Sequence, residues 1–142
     1  VQGSTQKGRL MTHGPKNRIQ VLEAFKASRE PSVLVSPSMT TGVDLPGKLC
    51  EFVITAKVPF PDLGDELVRR RRDSDPGWYP WVAMCGLLQG WYRGVRSEED
   101  VCPAYVLDRN AFRLLRENWA MVPNWVRESL LDSGGKLWTP GR

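Results

Sequence analysis

Only three cysteines, Cys50, Cys85 and Cys102, and a single histidine, His13, occur in the 142 residues. The cysteines are far apart in sequence and form no Cys-x-x-Cys pair. That argues against a metal site or a disulfide framework, and a reducing cytoplasm is the simpler reading. No apolar run approaches the roughly 20 residues needed to cross a membrane. Nothing at the start reads as a signal peptide, and no internal repeat is visible. Neither sign of charge dominates. Twenty Lys and Arg face sixteen Asp and Glu, a net charge of +4. This mild basic excess is compatible with nucleic acid without demonstrating it. With 41% hydrophobic and 25% charged residues the chain is neither mostly disordered nor collagen-like. The length allows one domain of ordinary size. Val1 in place of a starting Met leads us to expect a processed or excised piece. Most of the six Trp are expected in a core, and some on a stacking surface.

Residues 1–16 carry no hydrophobic period and read as a loop or the remnant of an upstream strand. Over 17–28, Ile19, Leu22, Ala24 and Phe25 recur at helical spacing, and Pro31 closes that helix. Residues 32–35 and 51–58 read as buried strands, the second with continuous Phe52, Val53 and Ile54. Continuous apolar strands point to a parallel sheet covered on both faces. Helices are expected over 65–72 and 79–95, a strand over 104–107, and a helix from an Asp108 cap to about 118. A last helix is expected over 123–133, before a flexible tail at 134–142. Alternating strands and helices give an α/β domain with a mainly parallel sheet, three clear strands being few for one.

Two segments can carry chemistry. In the first, Gln89, Arg93 and Arg96 fall at i, i+4 and i+7, one face of a helix. Two guanidiniums and an amide aimed the same way suit a polyphosphate. A solvated basic face, or Arg96 pairing with Asp100, explains the spacing equally well and more often. The second runs from Val33 to Gly47, leaving the C-terminal end of a strand, where open α/β sheets bind ligands. Ser36, Ser38, Thr40 and Thr41 offer hydroxyls to phosphate oxygens, Gly42 permits a sharp turn, and Asp44 can orient a water, an Arg or a hydroxyl. An ordinary loop with capping hydroxyls is the plainer reading.

Taken together, the two segments resemble the second RecA-like lobe of superfamily-two DNA helicases of the XPD/DinG type, over roughly residues 10–118. Thr41-Gly42-Val43-Asp44-Leu45-Pro46 looks like that family's motif V, and Lys57-Val58-Pro59-Phe60-Pro61 like the run after its next strand. Gln89, Arg93 and Arg96 match the motif VI pattern Gln-x-x-Gly-Arg-x-x-Arg, with Tyr92 where the family has Gly. A phenol there would block the site, stack on a base, or mark a helix set differently.

The resemblance implies a RecA-like, P-loop-NTPase-type lobe, truncated at its N-terminus and spanning 17–133. Such a lobe completes an ATP site with arginines. In that reading Arg93 and Arg96 are the finger-like catalytic pair, with Gln89 as a polar positioning residue. Gly42 and Asp44 sit by the nucleotide, and Ser38, Thr40 and Thr41 contact a single DNA strand. The chain has no Gly-x-x-x-x-Gly-Lys-Ser/Thr and no Asp-Glu-x-His box. ATP and Mg2+ would therefore be held mainly by the N-terminal helicase lobe of the same protein, and this piece should not hydrolyse ATP unaided. An iron–sulfur cluster, where the family has one, belongs to that upstream lobe. The implied partners are single-stranded DNA and the N-terminal lobe, with no membrane. The implied place is the cytoplasm, with nucleoid association in a bacterium. The rivals are a non-catalytic nucleic-acid-binding relative and a regulatory α/β domain.

Smaller features divide. The run Arg69–Arg72 suits a phosphate backbone or a solvated helix face equally. Trp78, Tyr79 and Trp81 suit bases, but packing at a helix start suits them better, and Phe60 is a wedge or a core residue. Asp62 and Asp65 read as helix caps. His13 is assigned no role.

Overall fold

The fold is that of a computed structural model, in which residues 7–39 and 42–141 are described. Strand β1 (Leu10–Thr12) leads to helix α1 (Arg18–Ala27) and strand β2 (Val33–Val35). Strand β3 (Val53–Thr55) is followed by α2 (Glu66–Ser74), α3 (Trp78–Trp91), β4 (Ala104–Val106), α4 (Arg109–Glu117) and the single turn α5 (Asn124–Arg127). Both sheets are parallel pairs. β1 lies on β2 with Met11 opposite Leu34, and β3 lies on β4 with Ile54 opposite Tyr105. The α/β class and the parallel pairing agree with the sequence. The single sheet does not: among the described residues there are two sheets of two strands each.

The expected loop at 1–16 contains β1, which the sequence reading missed. Its three residues are too few to show a period, and its pairing partner lies beyond a whole helix. The strand expected over 51–58 shortens to β3, where Pro103 O takes the Val53 amide at one end as part of the parallel pairing, and it is not covered on both faces, since Phe52 and Ile54 are exposed. Past its other end, Asp108 Oδ2 takes the Val58 amide at 2.9 Å. The same carboxylate caps α4 by accepting from Asn110 N at 2.9 Å. These two amides hold Asp108 below the ordinary carboxylate range. Asp65 caps α2 through Leu67 N in the same manner, whereas Asp62, also expected as a cap, caps no helix and only closes a turn by accepting from Gly64 N.

Two hydrophobic clusters result. The larger one gathers Ala83, Met84, Leu87 and Trp91 of α3, Ala111, Leu114 and Leu115 of α4, and Val58, Val122 and Val126. The apolar spacing of α3 and α4 dictates that face. The smaller cluster is Met39, Val43, Leu45 and Cys50, packed by Leu22 and Phe25 of α1, Leu34, Leu49, Val53 and Cys102. Trp91 Nε1 donates to Thr55 Oγ1 at 3.1 Å and fixes the end of α3 over β3.

The helix expected over 123–133 is only α5. Beyond it the chain turns back, Leu131 bridging to Leu137 and Trp138 N donating to Leu130 O. Trp138 then meets Phe112 and Trp119 edge-on, at ring-centroid distances of 5.8 and 5.7 Å. Residues read as a flexible tail thus include a tryptophan packed on the larger cluster. Around the start of α3, Tyr79 stacks on Phe60 at 5.6 Å and Arg71 covers Trp78, while Trp81 stays exposed. Among the described residues no helix is long and apolar enough to cross a membrane.

Candidate functional site

The loop after β2 begins with Ser36. Its Oγ accepts from Ser38 N at 3.2 Å and Met39 N at 3.0 Å, and lies 2.6 Å from His13 Nε2. His13 stands just past β1 and Ser36 just past β2, so parallel pairing brings them to one sheet edge. His13, assigned no role from sequence, thereby steadies the loop. Only that pairing, invisible in sequence, could have shown it. Ser38 is exposed; Thr40 and Thr41 lie outside the described residues.

Gly42 has φ +70° with open space around it, so the backbone conformation itself demands glycine there. Val43 and Leu45 are buried, and the alternation turns Asp44 outward. Asp44 Oδ1 accepts from Arg96 Nε at 2.6 Å, across 52 residues of sequence. The two segments that stood apart in sequence are therefore joined at these residues.

The expected helix over 79–95 ends at Trp91, and Tyr92–Gly94 form a tight 3-10 turn. Gly90 and Gly94 weaken the helix. Asp100 Oδ2 then accepts from the Arg96 and Ser97 amides, each at 2.8 Å, which drops Asp100 below the usual carboxylate range and holds these residues in a loop. The helical face shared by Gln89, Arg93 and Arg96 is thus not formed. Gln89 stays on α3, exposed, and no hydrogen bond joins it to either arginine among the described residues. Nor do the Arg96 and Asp100 side chains pair as the plainer reading had it. Asp100 takes the main chain, and the guanidinium goes to Asp44.

Arg93 is buried, at 9% exposure. Its Nε is buried and has no hydrogen-bond partner among the described residues. Burial pushes its guanidinium below the ordinary range, and the charges of Arg96 and of Arg18, at the start of α1, push the same way against a contribution from Cys50. Arg18 was missed in the sequence, where nothing distinguishes a helix-start arginine that far upstream. Arg93 thus feels the charges of Arg96 and Arg18, and Arg96 pairs with Asp44 beside the loop after β2. Buried polar atoms are nearly always paired. Arg127 Nε is buried and unpartnered too, so what sets Arg93 apart is its place on the turn that leads to the Asp44–Arg96 pair.

Tyr92 faces elsewhere. Its ring meets Trp125 edge-on at 4.6 Å and its hydroxyl lies 2.7 Å from Ser129 Oγ. The phenol is engaged by α5 and the residues after it. Gly94 needs to be glycine for space. A Cβ there would stand 2.5 Å from Cys102 Sγ and 2.9 Å from Cys50 O. This contact seats the arginine turn on the smaller cluster. It also corrects the sequence picture of separate cysteines, since Cys50 and Cys102 lie side by side.

A search of curated proteins returned no match. The family model of the helicase C-terminal domain matches residues 1–129, a span that holds β1 to α5, the loop after β2 and the arginine turn. The chain belongs to the helicase C-terminal domain family.

Proposed function

We propose that this chain is the second, RecA-like lobe of an ATP-dependent DNA helicase of the XPD/DinG type, in superfamily two, and that Arg93 and Arg96 are its contribution to the ATP site. The observation that carries the reading is the buried, unpartnered Nε of Arg93 on the turn that leads to the Asp44–Arg96 ion pair. Phosphoryl transfer spreads negative charge over the terminal phosphate oxygens. A guanidinium held out of water opposes that charge far better than one in solvent, and its fork matches phosphate geometry. Arg96 is aimed by Asp44, so the loop that grips the strand and the turn that reaches the nucleotide share one ion pair. That pair is the physical link through which strand binding and hydrolysis are coupled. Ser38, Thr40 and Thr41 offer hydroxyls to the strand's phosphates, Gly42 provides the turn, and Gln89, near the end of α3, is a polar positioning residue ahead of the arginine turn. The Walker A loop and the Mg2+ ligands fall to the upstream lobe.

The test is strand-stimulated ATP hydrolysis by the protein that carries this chain with its P-loop lobe. Wild type should hydrolyse ATP faster with single-stranded DNA, and Arg96→Ala should lower turnover by about a hundredfold or more. Strand binding without any wild-type hydrolysis would support the non-catalytic rival. Unchanged turnover in Arg96→Ala would sink the assignment of the arginine.

A further inference from the structure

Beneath the arginine turn lies a thiol pair that the proposed function does not use. Cys102 Sγ is 3.6 Å from Cys50 Sγ, although the residues are 52 apart in sequence. Cys50 precedes β3 and Cys102 precedes β4, and the hydrogen bond from Val53 N to Pro103 O, 3.0 Å, ties the two segments beside them. The thiols therefore approach because the parallel pairing starts there. Both are reduced in this structure. Gly94 rests on Cys102 Sγ and Cys50 O with no room for a Cβ.

We propose that Cys50 and Cys102 are a modification site: they form a reversible disulfide when met by a low-molecular-weight disulfide such as oxidised glutathione, and that bond stiffens the Arg93–Gly94 turn above it. The sulfurs need to close by about 1.5 Å to reach bonding distance, a movement on the scale of a side-chain adjustment. Cys102 is the more exposed of the two and reacts first. Its thiolate displaces one half of the small disulfide, whose S–S bond breaks and whose thiolate leaves. Cys50 then attacks Cys102 Sγ, expels the second small thiolate and gives up its proton to it. Two protein thiols are oxidised, one small disulfide is reduced to two thiols, and no other reactant is required. Burial pushes the Cys50 thiol up to about 12, with Cys102 beside it adding to the rise. Ring closure is therefore the slow step, and the mixed disulfide on Cys102 accumulates first.

The test is equilibration of the chain in thiol–disulfide buffers of rising oxidised fraction, acid quench, alkylation and peptide mapping. The expected result is that Cys50 and Cys102 lose alkylation together, that a peptide linking them appears, and that Cys85 stays alkylated. In denaturant the preference for Cys50–Cys102 should be lost, and the shorter loop between Cys85 and Cys102 should close most often. Cys50→Ala should stop at the mixed disulfide on Cys102. Tryptic cleavage after Arg93 and Arg96 should be several-fold slower in the oxidised chain and return to the reduced rate with added dithiol. Equal alkylation of all three cysteines in the folded chain, or a link through Cys85 or between chains, would overturn the pairing. Equal cleavage of oxidised and reduced chains would overturn the stiffening.

Discussion

Arg93 is a costly residue to bury. A charged group removed from water without a full set of partners lowers stability, and this one lies near two more cations. Proteins keep such residues where a ligand completes them. Arg93→Met should therefore leave the fold at least as stable as wild type, with a gain on the order of 1 kcal/mol in a urea unfolding titration. The Asp44–Arg96 pair behaves differently. Both side chains are largely exposed, so the ion pair contributes less than about 1 kcal/mol to stability. Asp44→Asn should leave the unfolding midpoint nearly unchanged and still lower strand-stimulated turnover, because the guanidinium loses its aim. Gly94→Ala should do the reverse of Arg93→Met. The added methyl strikes Cys102 Sγ and Cys50 O, an overpacking that costs about 1–3 kcal/mol in the same titration.

Among the elements, α1 to α4 were legible in the sequence to within a few residues, for local reasons. Each carries its apolar spacing or its cap within its own span, Asp65 and Asp108 above all. What was not legible depends on partners far along the chain. β1 is a strand only because β2 lies beside it. α3 gives way at Trp91 to a 3-10 turn, after which Asp100 holds the amides of Arg96 and Ser97 in a loop. α5 is short because Leu130 and Trp138 meet by a backbone bond instead of continuing a helix. The candidate site divides in the same way. The residue types of Gln89, Arg93, Arg96, Gly42 and Asp44 could be read from their order. The burial of Arg93, the presence of Arg18 and the support from His13 could not. Two predictions belong here. Trp138→Ala, at a half-buried position, should cost about 2 kcal/mol, below the roughly 3 to 5 for a fully buried Trp, measured by thermal or urea unfolding. Asp108 has its folded pKa depressed below its ordinary 3.8. Its stabilising contribution is therefore complete above that ordinary value and is lost as pH falls through the lower folded one. Acid unfolding followed by circular dichroism should show a limb below about pH 4 that flattens in Asp108→Asn.

At the scale of the whole molecule, two hydrophobic clusters are joined by one turn. The larger cluster anchors α3 and the chain that returns through Trp138. The smaller one holds the loop after β2. Tyr92 faces the first and Gly94 the second, so Arg93 lies between them. On the proposed function, a rigid mount of this kind suits a cation offered to a nucleotide on another lobe, since a cation placed in advance needs no reorganisation during the reaction. The most direct measurement is paired turnover and unfolding for wild type and Arg93→Met, in the protein that carries this chain with its P-loop lobe. A buried arginine kept for phosphoryl transfer predicts that strand-stimulated hydrolysis falls by about a hundredfold or more while the unfolding midpoint holds or rises. A lower midpoint with unchanged hydrolysis would contradict it, and would make Arg93 a structural residue.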